Sequence, residues 1–164
     1  MPLPGAPIMA CIDRKRDRIL VGEQGKGRVC SIFDIKNGER LWDGASEGFA
    51  LADYSAGAFS PNDHRISWPR KEPIGQEETS LWVTDVDRTA AGNSLRLTPS
   101  DGRVMSSSWS PKGAHVAFMW SRWPSDMIRL WVADLKSGEL EPLVEGPFEE
   151  DLRALGCHSW APAG

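Results

Sequence analysis

Residues 108–144 read SWSPKGAHVAFMWSRWPSDMIRLWVADLKSGELEPLV, a pattern of short β-strands joined by turns. Residues 110–113 (SPKG) have proline second and glycine fourth, which favours a type I turn. Residues 115–120 are mostly apolar and aromatic, and residues 129–135 alternate like a half-buried strand. With a closing strand at 140–144, the stretch predicts one four-stranded antiparallel unit.

Internal repetition extends this unit over most of the chain. FSP at residues 59–61 matches WSP at 109–111, and WAP follows at 160–162. SLWVTDV at residues 80–86 matches RLWVADL at 129–135. A weaker copy, with IFD in its third strand and KNGE in its turn, precedes both. The predicted units are about 6–44, 55–98 and 105–145, and residues 157–164 begin a further one.

Units of four short strands that recur every 40–50 residues or so are typical of β-propeller blades. The sequence therefore predicts an all-β fold: a single partial β-propeller domain of four-stranded antiparallel blades, with about three blades and the first strand of another. Propellers close with about four to eight blades. We therefore expect either an incomplete ring that belongs to a longer propeller or two copies that complete a ring together. The ending HSWAPAG favours a truncated product; alternatively, residues 158–160 complete a neighbour's blade.

The motifs also resemble those of known propeller families. SWSPKGAHVAF followed by LWVADLKSGELEPL resembles the WD40-like repeat of TolB-type propellers, and the pairs SPND/SPKG and LWVTDV/LWVADL are the matching positions. The same repeat builds the N-terminal propellers of prolyl-oligopeptidase-type serine peptidases. There, the resemblance implies a disc that covers a separate α/β-hydrolase domain and restricts access of large substrates. The first unit, VCSIFDIKNGERLWDG, is also similar to the quinoprotein-type propeller repeat.

Composition and charge exclude several classes of protein. Of the 164 residues, 40% are hydrophobic and 26% charged, as in soluble globular proteins. The formal charge of −4 argues against a nucleic-acid partner, which requires a basic face. We expect no membrane segment, because no apolar run approaches ~20 residues, and no secretory signal, because the N-terminal MPLPGAPIMACIDRKR has no positive segment ahead of an apolar core. Three scattered cysteines (Cys11, Cys30, Cys157) are too few for a disulfide framework, so we expect reduced thiols in the cytoplasm.

Motifs that suggest catalysis are better explained as loops. GASEG at residues 44–48 fits the pattern around a nucleophilic serine, but no helical pattern follows it, so Ser46 is not expected to be catalytic. GEQGKG at residues 22–27 leads into a strand, without the Ser or Thr and the helix of a phosphate loop. The three histidines lack the spacing of a zinc site. We therefore predict no catalytic residue, no cofactor and no metal in this chain.

Other recurring residues point to structural roles. Asp34, Asp85 and Asp134 each follow a third strand, where an aspartate commonly accepts hydrogen bonds from the backbone of the next turn. His64 and His115 occupy nearly equivalent repeat positions and are expected at exposed hairpin ends. Eight tryptophans against a single tyrosine, mostly in or beside strands, suit a repeated architectural position better than one binding pocket.

Two loops carry the candidates for an interaction surface. Residues 69–79 and 121–127 both join a second strand to a third, so they should emerge on one face of the propeller as a basic and aromatic rim. Arginine and tryptophan are favoured anchors at interfaces, although solvated loop tips are an alternative. The candidate residues are Arg70, Lys71, Arg122, Trp123 and His158. The last of these lies on an expected innermost strand, where it could face the central channel.

These observations predict a non-catalytic propeller module that provides a binding or gating surface. It would form a portion of a larger propeller, such as that of a prolyl-oligopeptidase-type peptidase. The alternative is a TolB-like interaction scaffold, stand-alone or self-associating. The expected partner is a protein or peptide, or a further copy of the chain that closes the ring; neither nucleic acid nor membrane is expected. An independent enzyme is supported only by GASEG.

Overall fold

The computed structural model describes residues 7–13, 17–23, 29–43, 50–51, 57–62, 64–71, 78–87, 90–122 and 127–143. These residues form β-strands and turns and contain no helix, so no described element could span a membrane as a helix. The strands are β1 (Pro7–Asp13), β2 (Arg18–Glu23), β3 (Val29–Asp34), β4 (Arg40–Asp43), β5 (Ala50–Leu51), β6 (Ala58–Phe59), β7 (Arg65–Lys71), β8 (Thr79–Asp87), β9 (Ala90–Arg96), β10 (Gly102–Trp109), β11 (His115–Arg122), β12 (Ile128–Asp134) and β13 (Leu140–Pro142).

The strands form three antiparallel sheets that follow each other along the chain. The first sheet has the order β1-β2-β3-β4, the middle sheet β5/β6-β7-β8-β9 and the third sheet β10-β11-β12-β13. The first and third sheets are up-and-down meanders in which each strand pairs with its neighbour in sequence, and β7, β8 and β9 of the middle sheet pair in the same way. The predicted all-β architecture of four-stranded antiparallel blades is confirmed for the described part of the chain, where three such sheets are present.

The middle sheet has a divided first strand. β5 and β6 both pair with β7: Leu51 lies opposite Arg70, and Ala58 lies opposite Ser67. The sheet thus includes residues before position 55, where the sequence places the start of the second unit. The sequence between β4 and β6, GASEGFALADYSAG, is rich in Gly, Ala and Ser and has few of the β-branched and aromatic residues that favour strands. The alternation that marks the other strands is therefore missing here.

The predicted SPKG turn is confirmed by its hydrogen bonds. Gly113 N donates to Ser110 O at 2.8 Å, and Gly113 has a φ of +70°, which glycine adopts readily. The Ser110 hydroxyl also accepts a hydrogen bond from His115 N at 3.0 Å. The SPND turn repeats this last contact, because the Ser60 hydroxyl accepts from Arg65 N at 3.1 Å. Each serine thus binds the first residue of the strand that follows its turn, β7 or β11.

The aspartates that follow third strands differ in their roles. The Asp134 carboxylate accepts hydrogen bonds from the backbone N–H groups two and three residues later, at 2.7 and 2.8 Å. Asp34 does the same at 2.7 and 3.3 Å, so the prediction is confirmed for both. It is wrong for Asp85, because β8 continues through Asp87 and no turn follows at that point. The Asp85 carboxylate instead accepts a hydrogen bond from Arg65 Nε at 3.0 Å.

Two apolar cores hold the three sheets together, and the middle sheet contributes to both. Successive side chains of a strand point to opposite faces, so β7 and β8 supply one set of residues to each neighbour. The first core contains Leu20, Cys30, Ile32, Trp42, Ile66, Trp68 and Val86. The second core contains Leu81, Val83, Val104, Trp109, Val116, Phe118, Trp120 and Ala133. Tryptophan is prominent in both cores, as expected for an architectural position.

Buried polar groups supplement both cores. Between the middle and third sheets, the hydroxyls of Ser67 and Ser107 are hydrogen-bonded at 2.8 Å. Beside the first core, the buried Arg18 donates from Nη2 to the Asp13 carboxylate at 2.8 Å, and its guanidinium lies 5.1 Å from the centre of the Phe59 ring in the middle sheet. Such pairing compensates the cost of removing polar and charged groups from water.

Candidate interaction surface

The second strands of the middle and third sheets end at the same edge of the molecule. Thr79, which begins β8, is hydrogen-bonded to Val104 near the start of β10. The SPND and SPKG turns contact each other at the opposite edge. Lys71 pairs with Thr79, and Arg122 pairs with the first residue of β10. Both cations therefore lie at the first edge, which we call the loop end; the opposite edge is the turn end.

Arg70 is stacked on a tryptophan at the loop end. Its guanidinium carbon lies 4.6 Å from the centre of the Trp82 ring, on the neighbouring strand. This distance is typical of a cation–π interaction, which favours a cation over an indole face. Trp82 packs against the first core, so Arg70 lies on the side of the middle sheet that faces the first sheet.

Arg122 has a similar arrangement in the third sheet. Its guanidinium carbon lies 5.4 Å from the centre of the Trp120 ring, and its Nε donates to the Asp101 carboxylate at 2.8 Å. The side chain of Arg122 is 54% exposed. An ion pair this exposed contributes only about 0–1 kcal/mol, so the guanidinium can exchange its partner at little cost.

The candidate residues are distributed over two gaps between sheets. Arg70 and Lys71 are consecutive in β7 and therefore point to opposite faces of the middle sheet. Arg70 faces the first sheet, whereas Lys71 and Arg122 belong to the gap between the middle and third sheets. Trp123 and His158 lie outside the described residues. The rim as a single cluster stays a prediction.

Several other predictions concern residues away from this surface. Ser46 and most of the GEQGKG segment lie outside the described residues. His64 is exposed, and His115 lies at the turn end with its Nε2 3.2 Å from the Asp134 carboxylate. Among the described residues, no group of three or more His, Cys, Asp and Glu is placed to hold a metal ion.

Trp120, the buried residue beside Arg122, was not among the candidates predicted from the sequence. It is 1% exposed, and its ring meets the Trp131 ring edge-on with 5.3 Å between centres. The repeat contains a signal for it: the offset of 50 that aligns FSP with WSP also aligns Arg70 with Trp120. Trp82 lies opposite Trp68, and Trp131 lies opposite Phe118, at equivalent positions of the two sheets. The same slot therefore holds an arginine in one sheet and a tryptophan in the next.

A corner of the third sheet surrounds this indole. A Cβ atom added at Gly102 would lie 2.6 Å from Trp120 Nε1, so only glycine leaves room for the ring. Within the described residues, three buried polar atoms of this part of the third sheet have no hydrogen-bond partner: Trp120 Nε1, Arg129 Nε and Asp101 Oδ1. We call this group the Trp120 corner; it consists of Asp101, Gly102, Trp120, Arg122 and Arg129.

Comparison with solved structures identifies similar propellers. A putative TolB from Agrobacterium tumefaciens has a TM-score of 0.63 and 19% identity, over 86% of this chain and 50% of that one. TolB from Acinetobacter baumannii has a TM-score of 0.65 and 14% identity, over 87% of this chain and 32% of that one. A puromycin hydrolase has a TM-score of 0.61 and 14% identity, over 84% of this chain and 23% of that one.

Sequence comparison adds no closer relative. No protein-family model and no curated protein matches the chain. The chain spans half the length or less of the solved structures described above, and identities this low show the fold alone. The predicted resemblance is confirmed at that level: the chain has the β-propeller fold seen in TolB and in the propeller domains of prolyl endopeptidases and puromycin hydrolase.

Proposed function

We propose that this chain is a non-catalytic portion of a β-propeller whose loop end binds a protein or peptide. The observation that carries the proposal is the placement of two arginines on tryptophans at that end: Arg70 on Trp82 and Arg122 on Trp120. Arginine and tryptophan supply much of the binding energy at protein interfaces. A stacked guanidinium is also held in place before a partner arrives, which lowers the entropic cost of binding.

A role in a larger propeller is the leading form of this proposal. The matched solved chains are at least twice as long as the part aligned with this chain. In two prolyl endopeptidases, inter-domain dynamics have a role in catalysis and specificity. By analogy, the loop end would restrict or admit substrates of a separate catalytic domain. The chain itself would then hydrolyse nothing.

Site-specific photo-cross-linking in the source organism's cells tests this proposal. A benzophenone amino acid replaces Lys71 at the loop end, or the exposed Lys112 at the turn end as a matched control. We expect a discrete cross-linked protein or peptide from position 71 and none from position 112. Equal cross-linking from both positions, or none from position 71, would contradict a binding surface at the loop end.

A self-associating, TolB-like scaffold is the second candidate. The chain aligns with half of the putative Agrobacterium TolB, and its described part has three sheets, so two copies would supply six. Light scattering after gel filtration distinguishes the two candidates. A discrete dimer would support closure of the ring by a second copy, and a monomer would exclude it. Residence in the cytoplasm stays a prediction, to be tested by cell fractionation.

A further inference from the structure

The middle sheet carries an arginine on each side of Trp82 near the loop end. Arg70 lies on β7, with its guanidinium carbon 4.6 Å from the centre of the Trp82 ring. Arg96 lies directly opposite Trp82 in the pairing of β8 with β9, so these two side chains emerge on the same face of the sheet. We call Arg70, Trp82 and Arg96 the basic strip; it crosses three neighbouring strands.

The basic strip is open to solvent and its cations are held in place. Arg96 is exposed, and Arg70 and Trp82 are half-buried. Arg96 Nε donates to Thr98 O at 2.8 Å, which fixes the side chain and leaves its two Nη groups as donors for a partner. The guanidinium of Arg70 is positioned by its stacking on the indole. Such prior positioning lowers the entropic cost of binding.

The charges on this side of the middle sheet favour an acidic partner. Arg70 and Arg96 carry two positive charges, and Glu78, on the same face just before β8, carries one negative charge. The core residues of the first sheet on this side, such as Cys30 and Trp42, are uncharged. Among the described residues, the strip and its surroundings therefore carry one net positive charge, in a chain whose formal charge is −4.

Carboxylate side chains of a protein fit this arrangement. An arginine can bind a carboxylate through two parallel hydrogen bonds, which are stronger than those between neutral groups. Arg70 and Arg96 lie on strands two places apart, which separates the strand axes by about 10 Å, so each needs a carboxylate of its own. A run of acidic residues supplies both, and Trp82 offers the aromatic contact between them that is favoured at protein interfaces.

We propose that the basic strip binds an acidic segment of a partner protein. Arg70 and Arg96 each donate to a carboxylate of that segment, and the indole of Trp82 packs against the chain between the two carboxylates. This inference rests on the proposed function and specifies the chemistry of the partner. A long polyanion such as nucleic acid is disfavoured, because the negative net charge of the chain repels it.

Indole NMR tests the inference directly. The probes are acetyl-tetraglutamate amide and acetyl-tetraglutamine amide, each titrated into the ¹⁵N-labelled chain. The replacement Trp82→Phe assigns the Trp82 signal among those of the eight tryptophans. We expect the glutamate peptide to shift this signal in a saturable manner, less strongly at high salt, and the glutamine peptide to leave it unchanged. The comparison uses the unaltered chain and does not depend on how any variant folds.

Two variants with the same change of charge locate the acidic peptide. Arg96→Gln should weaken binding of the glutamate peptide about tenfold, because it removes a charged donor from an exposed position. Arg96→Lys keeps the charge and should lose clearly less. Arg65→Gln is the matched control, because Arg65 is an exposed arginine at the turn end; its affinity for the peptide should stay near that of the unaltered chain.

Three results would overturn the inference. These are equal binding of the glutamate and glutamine peptides, equal weakening by Arg65→Gln and Arg96→Gln, and a Trp82 signal that the glutamate peptide does not shift. A shift of the same signal by inorganic phosphate at the same concentration would also overturn it, in favour of a site for small anions. In each case, a cross-link from position 71 would still support the proposed function.

Discussion

At the scale of single residues, the turn ends of the middle and third sheets have equivalent pairs of side chains that differ in chemistry. Arg65 pairs with Asp85 in the middle sheet, whereas His115 pairs with Asp134 at the corresponding place in the third. Backbone N–H groups of Ser137 and Lys136 donate to the Asp134 carboxylate and hold its pKa below the ordinary 3.8. The nearby His115 acts in the same direction, and desolvation opposes both.

The lowered pKa of Asp134 makes its contribution to stability depend on pH. Because the folded-state pKa lies below the unfolded one, the stabilisation is fully present above about pH 4 and is lost as the pH falls through the folded-state pKa. Asp134→Asn should therefore lower the urea midpoint at pH 7, and the difference from the unaltered chain should shrink in acid. Glu141→Gln, which alters an exposed carboxylate nearby, is the control. A difference that stays constant from pH 7 to pH 3 would contradict this account.

At the scale of elements, one side chain of β8 supports an irregularity in β10. The register of β10 against β11 shifts between Val104 and Ser106, as in a β-bulge. The hydroxyl of the buried Thr79 accepts a hydrogen bond from Val104 N at 2.6 Å and donates to Val104 O at 3.1 Å. The middle sheet thus satisfies backbone groups of the third sheet at the shift.

Thr79→Val tests this support. Valine has nearly the same shape but leaves both backbone groups of Val104 without their partner, and a buried group without a partner costs about 1–3 kcal/mol. We expect Thr79→Val to lower the free energy of unfolding by about that amount in urea titrations. Thr79→Ser keeps the hydroxyl and should lose clearly less. A larger loss for serine than for valine would show that the methyl group, and not the hydroxyl, matters here.

At the scale of the whole molecule, the three sheets resemble a linear array. The middle sheet contributes to both cores, and the first and third sheets each contribute to one. In such arrays, stability is approximately a sum of unit terms and nearest-neighbour interfaces. A substitution that destabilises one core should therefore reduce stability most in the two sheets that share that core.

Leu20→Ala tests this expectation. Leu20 is 1% exposed in the first core, and its truncation should cost about 2–5 kcal/mol. Hydrogen exchange should become faster in the first and middle sheets and change less in the third. Ile35→Ala, at a 49% exposed position, should change stability by less than about 0.5 kcal/mol. Equal loss of protection in all three sheets would indicate a single cooperative unit instead.

The sequence predicted the elements better than the surface they form. Turn residues such as Gly113 have local causes, and the alternation of residues 129–135 reports a half-buried strand directly. The divided first strand of the middle sheet was missed because its residues favour no regular element. The stack of Arg70 on Trp82 depends on the register between two strands, which single-strand patterns do not contain. The Trp120 corner depends further on the space left by Gly102.

A pair of tryptophan rings in the first core should be visible in circular dichroism. The rings of Trp42 and Trp68 come from different sheets, with centres 6.2 Å apart and planes at 86°. Two indoles held close together at a fixed, non-parallel angle couple their electronic transitions, which produces a bisignate band in circular dichroism. Trp120 and Trp131 form a comparable pair within the third sheet. The first pair exists only while two sheets are docked, so its exciton band would report the docking of sheets without any added label.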